Sequence, residues 1–193
     1  MKSTLVALVE NKPGVLNRVV SLFRRRAFNM DSLTVGRTHR PDVSRMTIIM
    51  DTEHPGDAKK IIMHLYKLID VIEVQNLTDQ ARINRDLALI KIRTTDAISR
   101  NNITEFTYRY GARIVDIGPD VTIVEITGEP DHVESFIREL EPMGIIEMAR
   151  TGLVSMGRGV RSMKKADHES KRHTAALLSL QSNGNSNNGS TGG

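Results

Sequence analysis

The fold is decided by a stretch near the start of the chain, TLVALVENKPGVLNRVVSLF (residues 4–23), in which the hydrophobic period changes. Its first part, TLVALVE (4–10), is a continuous apolar run of strand length, and the polar turn NKPG (11–14) ends it. From Val15 onward the apolar residues recur at helical spacing, so a helix is predicted to run to about Arg26. The chain therefore begins with a strand that passes through a short turn into an amphipathic helix.

The following residues supply the other elements of the same unit. Strands are predicted over SLTVGRT (32–38), SRMTIIMD (44–51) and DVIEVQNLT (70–78). A second helix opens at HPGD (54–57), and its apolar face is predicted to continue to Ile69. The resulting order, βαββαβ, is that of a ferredoxin-like domain.

The same order of elements recurs in the second half of the chain. It begins with a predicted strand at LALIKIR (87–93) and ends with one at GIIEMAR (144–150). The fold class predicted is therefore α/β (α+β), with two tandem ferredoxin-like βαββαβ domains. The boundaries predicted are a first domain over 1–78, a charged linker over 79–86 and a second domain over 87–160.

The last part of the chain, 161–193, is first basic and then rich in Gly, Ser and Asn. Such a composition cannot bury enough apolar surface to offset the ordering of the backbone, so a disordered tail is expected. One apolar stretch, AALLSL within 174–180, could form a brief helix.

Composition excludes several classes of protein. The chain has 193 residues, of which 39% are hydrophobic, and it contains no Cys. Disulfides, a thiolate nucleophile and Cys-based metal sites are therefore absent. There is no apolar run long enough to span a membrane and no signal-peptide cleavage pattern. A cytoplasmic protein without a membrane partner is expected.

The formal net charge of +4 is confined to one end of the chain. From Arg158 onward there are six basic and two acidic residues, which account for the whole excess. Residues 1–157, which include nearly all of the two predicted domains, are thus neutral together, and nucleic acid is not an expected partner for the domains. A nucleic-acid binder driven by the basic tail remains an alternative.

The chain carries no recognisable catalytic motif. A phosphate loop, H-E-x-x-H, G-x-S-x-G and a dinucleotide fingerprint are all missing. The six His residues are scattered without metal-ligand spacing. No catalytic residue and no metal ligand is therefore predicted. A small enzyme in its own right remains an alternative, but no catalytic residues can be nominated for it.

The turn that leads into the first helix is the best candidate for a binding site. With Pro13 at the first helical position, the backbone N–H groups of Gly14, Val15 and Leu16 lack intrahelical partners and lie at the positive end of the helix dipole. Such a helix start suits a carboxylate, and Gly14 allows a close approach. Asn11 adds an amide suited to a zwitterion. Alternatively, Asn11 and Gly14 only shape a tight turn.

The stretch LVENKPGVLNRVVSLFRRRAFNMDSLTVGRT (8–38), followed by SRMTI (44–48), resembles the amino-acid-binding ACT domain. More narrowly, it is similar to the acetolactate synthase small-subunit family. The resemblance continues in HLYKLIDVIEV (64–74), LALIKI (87–92), GARIVDI (111–117) and EMARTGLVSMGRG (147–159). It covers about residues 2–160 and leaves the tail unmatched.

This resemblance implies a homodimer through the ACT domain with a branched-chain amino acid effector in the interface. Asn11, Gly14, Val15 and Leu16 of one chain would hold the effector, and Asn29 and Met30 of the partner subunit would close the pocket. By itself, a lone Asn such as Asn29 at a helix-to-strand turn is usually just a turn former.

The resemblance also implies a regulatory function rather than catalysis. The chain would activate a catalytic large subunit, chiefly through its second domain and the segment TGLVSMGRG, and would confer feedback inhibition by valine or another branched-chain amino acid. No cofactor is expected in this chain, and thiamine diphosphate, FAD and magnesium would belong to the catalytic partner. The alternative is an ACT-type sensor for a different amino-acid biosynthetic enzyme.

Overall fold

The computed structural model describes residues 1–54, 56–159 and 163. The chain divides into two compact units. The first comprises residues 1–82 together with the described residues from Gly157 onward, and the second comprises residues 83–156.

The first unit is a four-stranded antiparallel sheet with two helices. Its strand order is β2-β3-β1-β4. The elements, in chain order, are β1 (Lys2–Glu10), α1 (Val15–Arg25), β2 (Met30–Arg37), β3 (Val43–Asp51), α2 (Asp57–Leu65) and β4 (Val71–Asn76). The predicted βαββαβ order is confirmed.

Alternation along β1 explains why both faces of this sheet are apolar. Leu5, Ala7 and Val9 belong to the main core, which also contains the inward residues of both helices. Because successive side chains of a strand point to opposite faces, Leu8 points away from the helices. It forms a separate cluster on the helix-free face of the sheet, together with Val43, Ile72 and the partly buried Met163.

Two helix boundaries differ from those predicted. Gly14 is the N-cap of α1, so Pro13 precedes the helix instead of occupying its first position. Helix α2 ends at Leu65. After it, backbone hydrogen bonds join residues three apart, as in the bond of 3.0 Å from the Leu68 N–H to the Leu65 carbonyl oxygen. This tighter turn takes Ile69 off the apolar face and leaves it exposed.

The second unit repeats the arrangement with one strand more. Its sheet has the order β6-β7-β5-β8, and β9 also pairs with β5. The elements are β5 (Arg82–Arg93), α3 (Ala97–Tyr110), β6 (Arg113–Ile117), β7 (Val121–Gly128), α4 (Pro130–Leu140), a 3-10 turn (Glu141–Met143), β8 (Ile145–Arg150) and β9 (Val154–Gly157). Ile90 of β5 and Phe136 of α4 are fully buried in its core.

The predicted linker over 79–86 is wrong for most of its length, because β5 begins at Arg82. Of the charged residues that suggested a linker, Arg82, Arg85 and Asp86 are strand residues. Asp86 is buried, and its carboxylate accepts a hydrogen bond of 2.6 Å from Nε of Arg150. The short strand β9 was not predicted.

The tail predicted to be disordered (161–193) and its possible helix over 174–180 lie outside the described residues, with the exception of Met163. That residue, assigned to the tail from the sequence, packs on the first sheet.

A left-handed residue at the end of α1 offers a test of the helix-stop geometry. Ala27 has φ +55°. Its N–H donates to the Arg24 carbonyl oxygen, and the Phe28 N–H donates to the Phe23 carbonyl oxygen. This is a Schellman motif, in which glycine is the preferred left-handed residue.

Replacing Ala27 with Gly should raise the free energy of unfolding by about 0.5 kcal/mol, because the relief of steric strain exceeds the added entropy of the unfolded chain. Urea denaturation measures the change. The same replacement at the exposed helical residue Ala97 should lower stability instead. Equal effects at the two positions would contradict the helix-stop assignment.

Candidate functional site

The turn between β1 and α1 has the geometry of a type II turn. Gly14 has φ +81° and ψ −10°, and the Val15 N–H donates to the Lys12 carbonyl oxygen at 3.4 Å. Pro13 occupies the second position of this turn and Gly14 the third, where a positive φ favours glycine. The sequence Pro-Gly is therefore the one that the backbone of this turn favours.

The start of α1 presents backbone donors without protein acceptors. The first intrahelical bond runs from the Arg18 N–H to the Gly14 carbonyl oxygen at 3.0 Å. No side chain caps the helix, and its first turn contains no acidic residue. In the described part of the chain, the N–H groups of Leu16 and Asn17 have no acceptor. A carboxylate placed here would receive hydrogen bonds and a favourable dipole field.

A cation that sequence reasoning missed lies over this turn. A Cβ built on Gly14 would be 3.2 Å from Nη1 of Arg18. The guanidinium is held there because its Nε donates to Oδ2 of Asp70 at 2.7 Å, and the Asp70 side chain is only 9% exposed. Since residues four apart share a helix face, a basic residue four positions after the glycine was the available signal.

The Asn11 side chain is engaged within its own chain. Its Nδ2 donates to the Pro41 carbonyl oxygen at 2.9 Å, and its Oδ1 accepts from Oγ of Ser44 at 3.2 Å. The Asn11 N–H donates to the Asp42 carbonyl oxygen at 2.8 Å. Asn11 thus ties the β2–β3 loop to the turn, which is the turn-shaping role that the sequence left open.

Val15 and Leu16 face opposite environments. The Val15 side chain is buried in the main core, so only its backbone adjoins the turn. The Leu16 side chain is 45% exposed and stands next to the free N–H groups. Of the two, Leu16 can offer an apolar surface to a bound molecule.

Asn29 and Met30 lie at the other end of the sheet from Gly14. Met30 pairs with Met50 at the end where β1 begins, whereas Gly14 follows the last residue of β1. The eight residue-to-residue steps of β1, from Lys2 to Glu10, separate the two ends of the strand by about 27 Å. Met30 packs against its own core, and Asn29 is exposed. One chain therefore does not bring the six predicted residues together, because Asn29 and Met30 are far from the other four.

Within the part of the chain that the structure describes, acidic and histidine side chains do not gather elsewhere into a candidate centre. Among the described residues, no three of His, Asp or Glu form a group able to hold a metal ion. None of the described helices is both long enough and apolar enough to cross a membrane.

The imidazole of His64, near the end of α2, has a shifted pKa. Burial, with the nearby cations of Arg26 and Lys67, lowers the pKa of its imidazole from the ordinary value of 6.5.

The His64 shift predicts a pH dependence of stability. Because the unfolded chain binds the proton more tightly than the folded one, His64 lowers stability as the pH falls through its unfolded pKa. Replacing His64 with Gln should therefore reduce the loss of unfolding free energy between about pH 7 and about pH 5. Urea denaturation at each pH measures this, and an unchanged slope would contradict it.

Two family models match the two units. The AHAS small subunit-like ACT domain matches residues 5–73, and the model described as small subunit of acetolactate synthase matches residues 85–159. The chain is also 45% identical over 163 residues to an acetolactate synthase small subunit of Mycolicibacterium smegmatis, a match that covers 84% of this chain and 95% of that relative. An acetolactate synthase small subunit of Bacillus subtilis is 38% identical over 161 residues, covering 83% of this chain and 93% of the relative.

A solved structure agrees in fold across both units. The crystal structure of the acetolactate synthase small subunit from Thermotoga maritima superposes with a TM-score of 0.77 at 34% sequence identity. The match covers 83% of this chain and 99% of that one.

Proposed function

Since the chain belongs to the family of acetolactate synthase small subunits, we propose that it regulates a catalytic large subunit in valine, leucine and isoleucine biosynthesis. It binds that subunit, raises its activity and transmits feedback inhibition by a branched-chain amino acid. It performs no catalysis itself. The cytoplasm is its site of action.

The observation that carries the effector proposal is the uncapped start of α1. The carboxylate of the amino acid accepts hydrogen bonds from the N–H groups of Leu16 and Asn17, beside Gly14 and the Arg18 guanidinium. The Leu16 side chain supplies an apolar contact for the aliphatic part. Metabolite sensing at micromolar to millimolar affinity corresponds to about 4–8 kcal/mol of binding free energy. Of this, about 1–3 kcal/mol is available as coupling to the catalytic subunit.

The position of β2 supports a homodimer that completes the site. Strand β2 is an edge of the first sheet, and it begins at Met30 and ends beside the β1–α1 turn. If two β2 edges pair antiparallel, Asn29 and Met30 of the partner subunit come to the Gly14 end of the first chain. Each dimer then holds two equivalent effector sites.

The second domain makes the contact with the catalytic subunit, and the segment 147–159 is its proposed centre. Thiamine diphosphate, FAD and magnesium are bound by the catalytic subunit. Co-purification of a different amino-acid biosynthetic enzyme with this chain would instead assign the sensor to another pathway.

The effector and the dimer are tested by titration calorimetry and sedimentation. Valine, leucine and isoleucine are titrated into the isolated dimer, with valinamide as a matched ligand that lacks the carboxylate. At least one of the three amino acids is expected to bind with a Kd below about 1 mM, and valinamide is expected not to bind. The absence of binding by all three, or a monomer in sedimentation, would contradict the proposal.

A further inference from the structure

The chain returns to the first sheet after the second domain. Met163 packs on the helix-free face against Leu8, Val43 and Ile72. We call these three buried residues the latch cluster. Nη1 of Arg45, on the same face, lies 3.5 Å from the Met163 sulfur.

Within the first unit, which includes the described residues from Gly157 onward, the returning chain makes a second contact. A Cβ built on Gly157 would be 3.4 Å from Cδ2 of Leu77 and 3.8 Å from Nε2 of Gln75. The Arg158 N–H donates to the Ala81 carbonyl oxygen at 2.9 Å. The segment that leaves β9 is thus anchored on the domain that carries the β1–α1 turn.

Each member of the latch cluster lies within two residues of a group that holds this turn. Leu8 is two residues before Glu10, whose N–H donates to the Asp70 carbonyl oxygen at 2.9 Å. Ile72 is two residues after the same Asp70, whose carboxylate holds Arg18.

The third member, Val43, directly follows Asp42. The Asp42 carbonyl oxygen accepts the Asn11 N–H at 2.8 Å. Support for the turn therefore comes from three strands that meet beneath Met163.

We propose that Met163 is a positioning residue, a latch that keeps the β1–α1 turn in the shape that binds the amino acid. Its unbranched side chain fills the surface of the latch cluster and holds Leu8, Val43 and Ile72 together. Because Met163 follows the second domain in the chain, the latch links the amino-acid site to the segment that leaves that domain. This inference rests on the proposed function, since it concerns the regulation of the same site.

Hydrogen exchange tests the latch without any ligand. In the full chain, replacing Met163 with Ala should speed amide exchange at Glu10, Asn11 and Arg18 by about tenfold or more, as local opening becomes easier. Met163→Leu should restore slow exchange, because Leu fills the same space. Met156→Ala is the matched control, since Met156 is 58% exposed. Unchanged exchange in the Met163→Ala protein would overturn the latch.

Valine affinity gives the functional readout. The Met163→Ala protein should bind valine about three- to thirtyfold more weakly than the parent. Substitutions that do not touch a ligand typically change its binding by an amount in this range. The Met163→Leu and Met156→Ala proteins should match the parent. If the parent binds valine and Met163→Ala binds it equally well, the latch is refuted while the proposed function stands. If the parent binds none of the amino acids, the proposed function fails first.

Reciprocity provides a second readout in the unmodified protein. If Met163 supports amino-acid binding, then bound valine must in turn stabilise the Met163 contact. Valine should therefore slow oxidation of Met163 by dilute hydrogen peroxide, measured by mass spectrometry of peptides, and leave the rate at Met156 unchanged. An equal effect of valine at both residues would refute the coupling.

Discussion

Replacing Gly14 with Asp is expected to weaken valine binding by at least about a hundredfold, some 2.7 kcal/mol. The new carboxylate starts from a Cβ that lies 3.2 Å from Nη1 of Arg18. It therefore occupies the place of the ligand carboxylate, beside the free N–H groups of Leu16 and Asn17, and it repels a second negative charge. Titration calorimetry of the full chain measures the effect.

The fold should tolerate this replacement. Gly14 has φ +81°, a region in which Asp and Asn are accepted more readily than other side chains. Gly14→Asn is the matched control, since it has the same shape without the charge, and it should retain part of the affinity. A Gly14→Asp protein that is folded and binds valine like the parent would show that the start of α1 is not the effector site.

The second large effect is expected from Arg150, which neutralises a buried carboxylate in the second domain. Its guanidinium binds Asp86 at 2.6 Å and Glu134 at 2.9 Å, and the Asp86 side chain is only 4% exposed. Replacing Arg150 with Met leaves the Asp86 charge buried without its main partner, a change that costs about 3 kcal/mol of stability. Urea denaturation measures the loss of stability, and faster amide hydrogen exchange in β5 and α4 shows that the loss lies in the second domain.

Asp86→Ala combined with Arg150→Met is the control for the buried charge. Removing both partners should recover part of the lost stability, because no unpaired charge remains. Valine affinity should be unchanged in both proteins, since these residues belong to the second unit, while activation of the catalytic subunit should fall. A double variant less stable than Arg150→Met would contradict the charge argument, and a fall in valine affinity would contradict the division between the domains.

The order of the elements could be read from the sequence because hydrophobic period is a local property. The change of period between Glu10 and Val15 located β1 and α1 to within a few residues. The linker prediction failed because the burial of Asp86 depends on Arg150, which is 64 residues away. Strand β9 was missed because four residues are too few to establish a period.

The site was foreseen only where it is made of neighbouring residues. The turn at Pro13 and Gly14 carries a local signal, although the left-handed Gly14 moves the helix start two positions later than predicted, from Pro13 to Val15. Arg18 was missed because its placement depends on Asp70, and Met163 because its partner Arg45 lies 118 positions away. The roles of Asn29 and Met30 in a shared site remain a prediction, because a single chain separates them from Gly14.

The central claim, that this chain regulates a catalytic acetolactate synthase subunit, is tested most directly by reconstitution. The catalytic subunit from the same organism is assayed for acetolactate formation alone, with this chain, and with this chain plus valine at about 1 mM, the weak end of metabolite sensing. The rate is predicted to rise when the chain is added and to fall again with valine, whereas the Gly14→Asp protein activates without valine inhibition. A catalytic rate that is the same with and without a saturating amount of this chain would contradict the account.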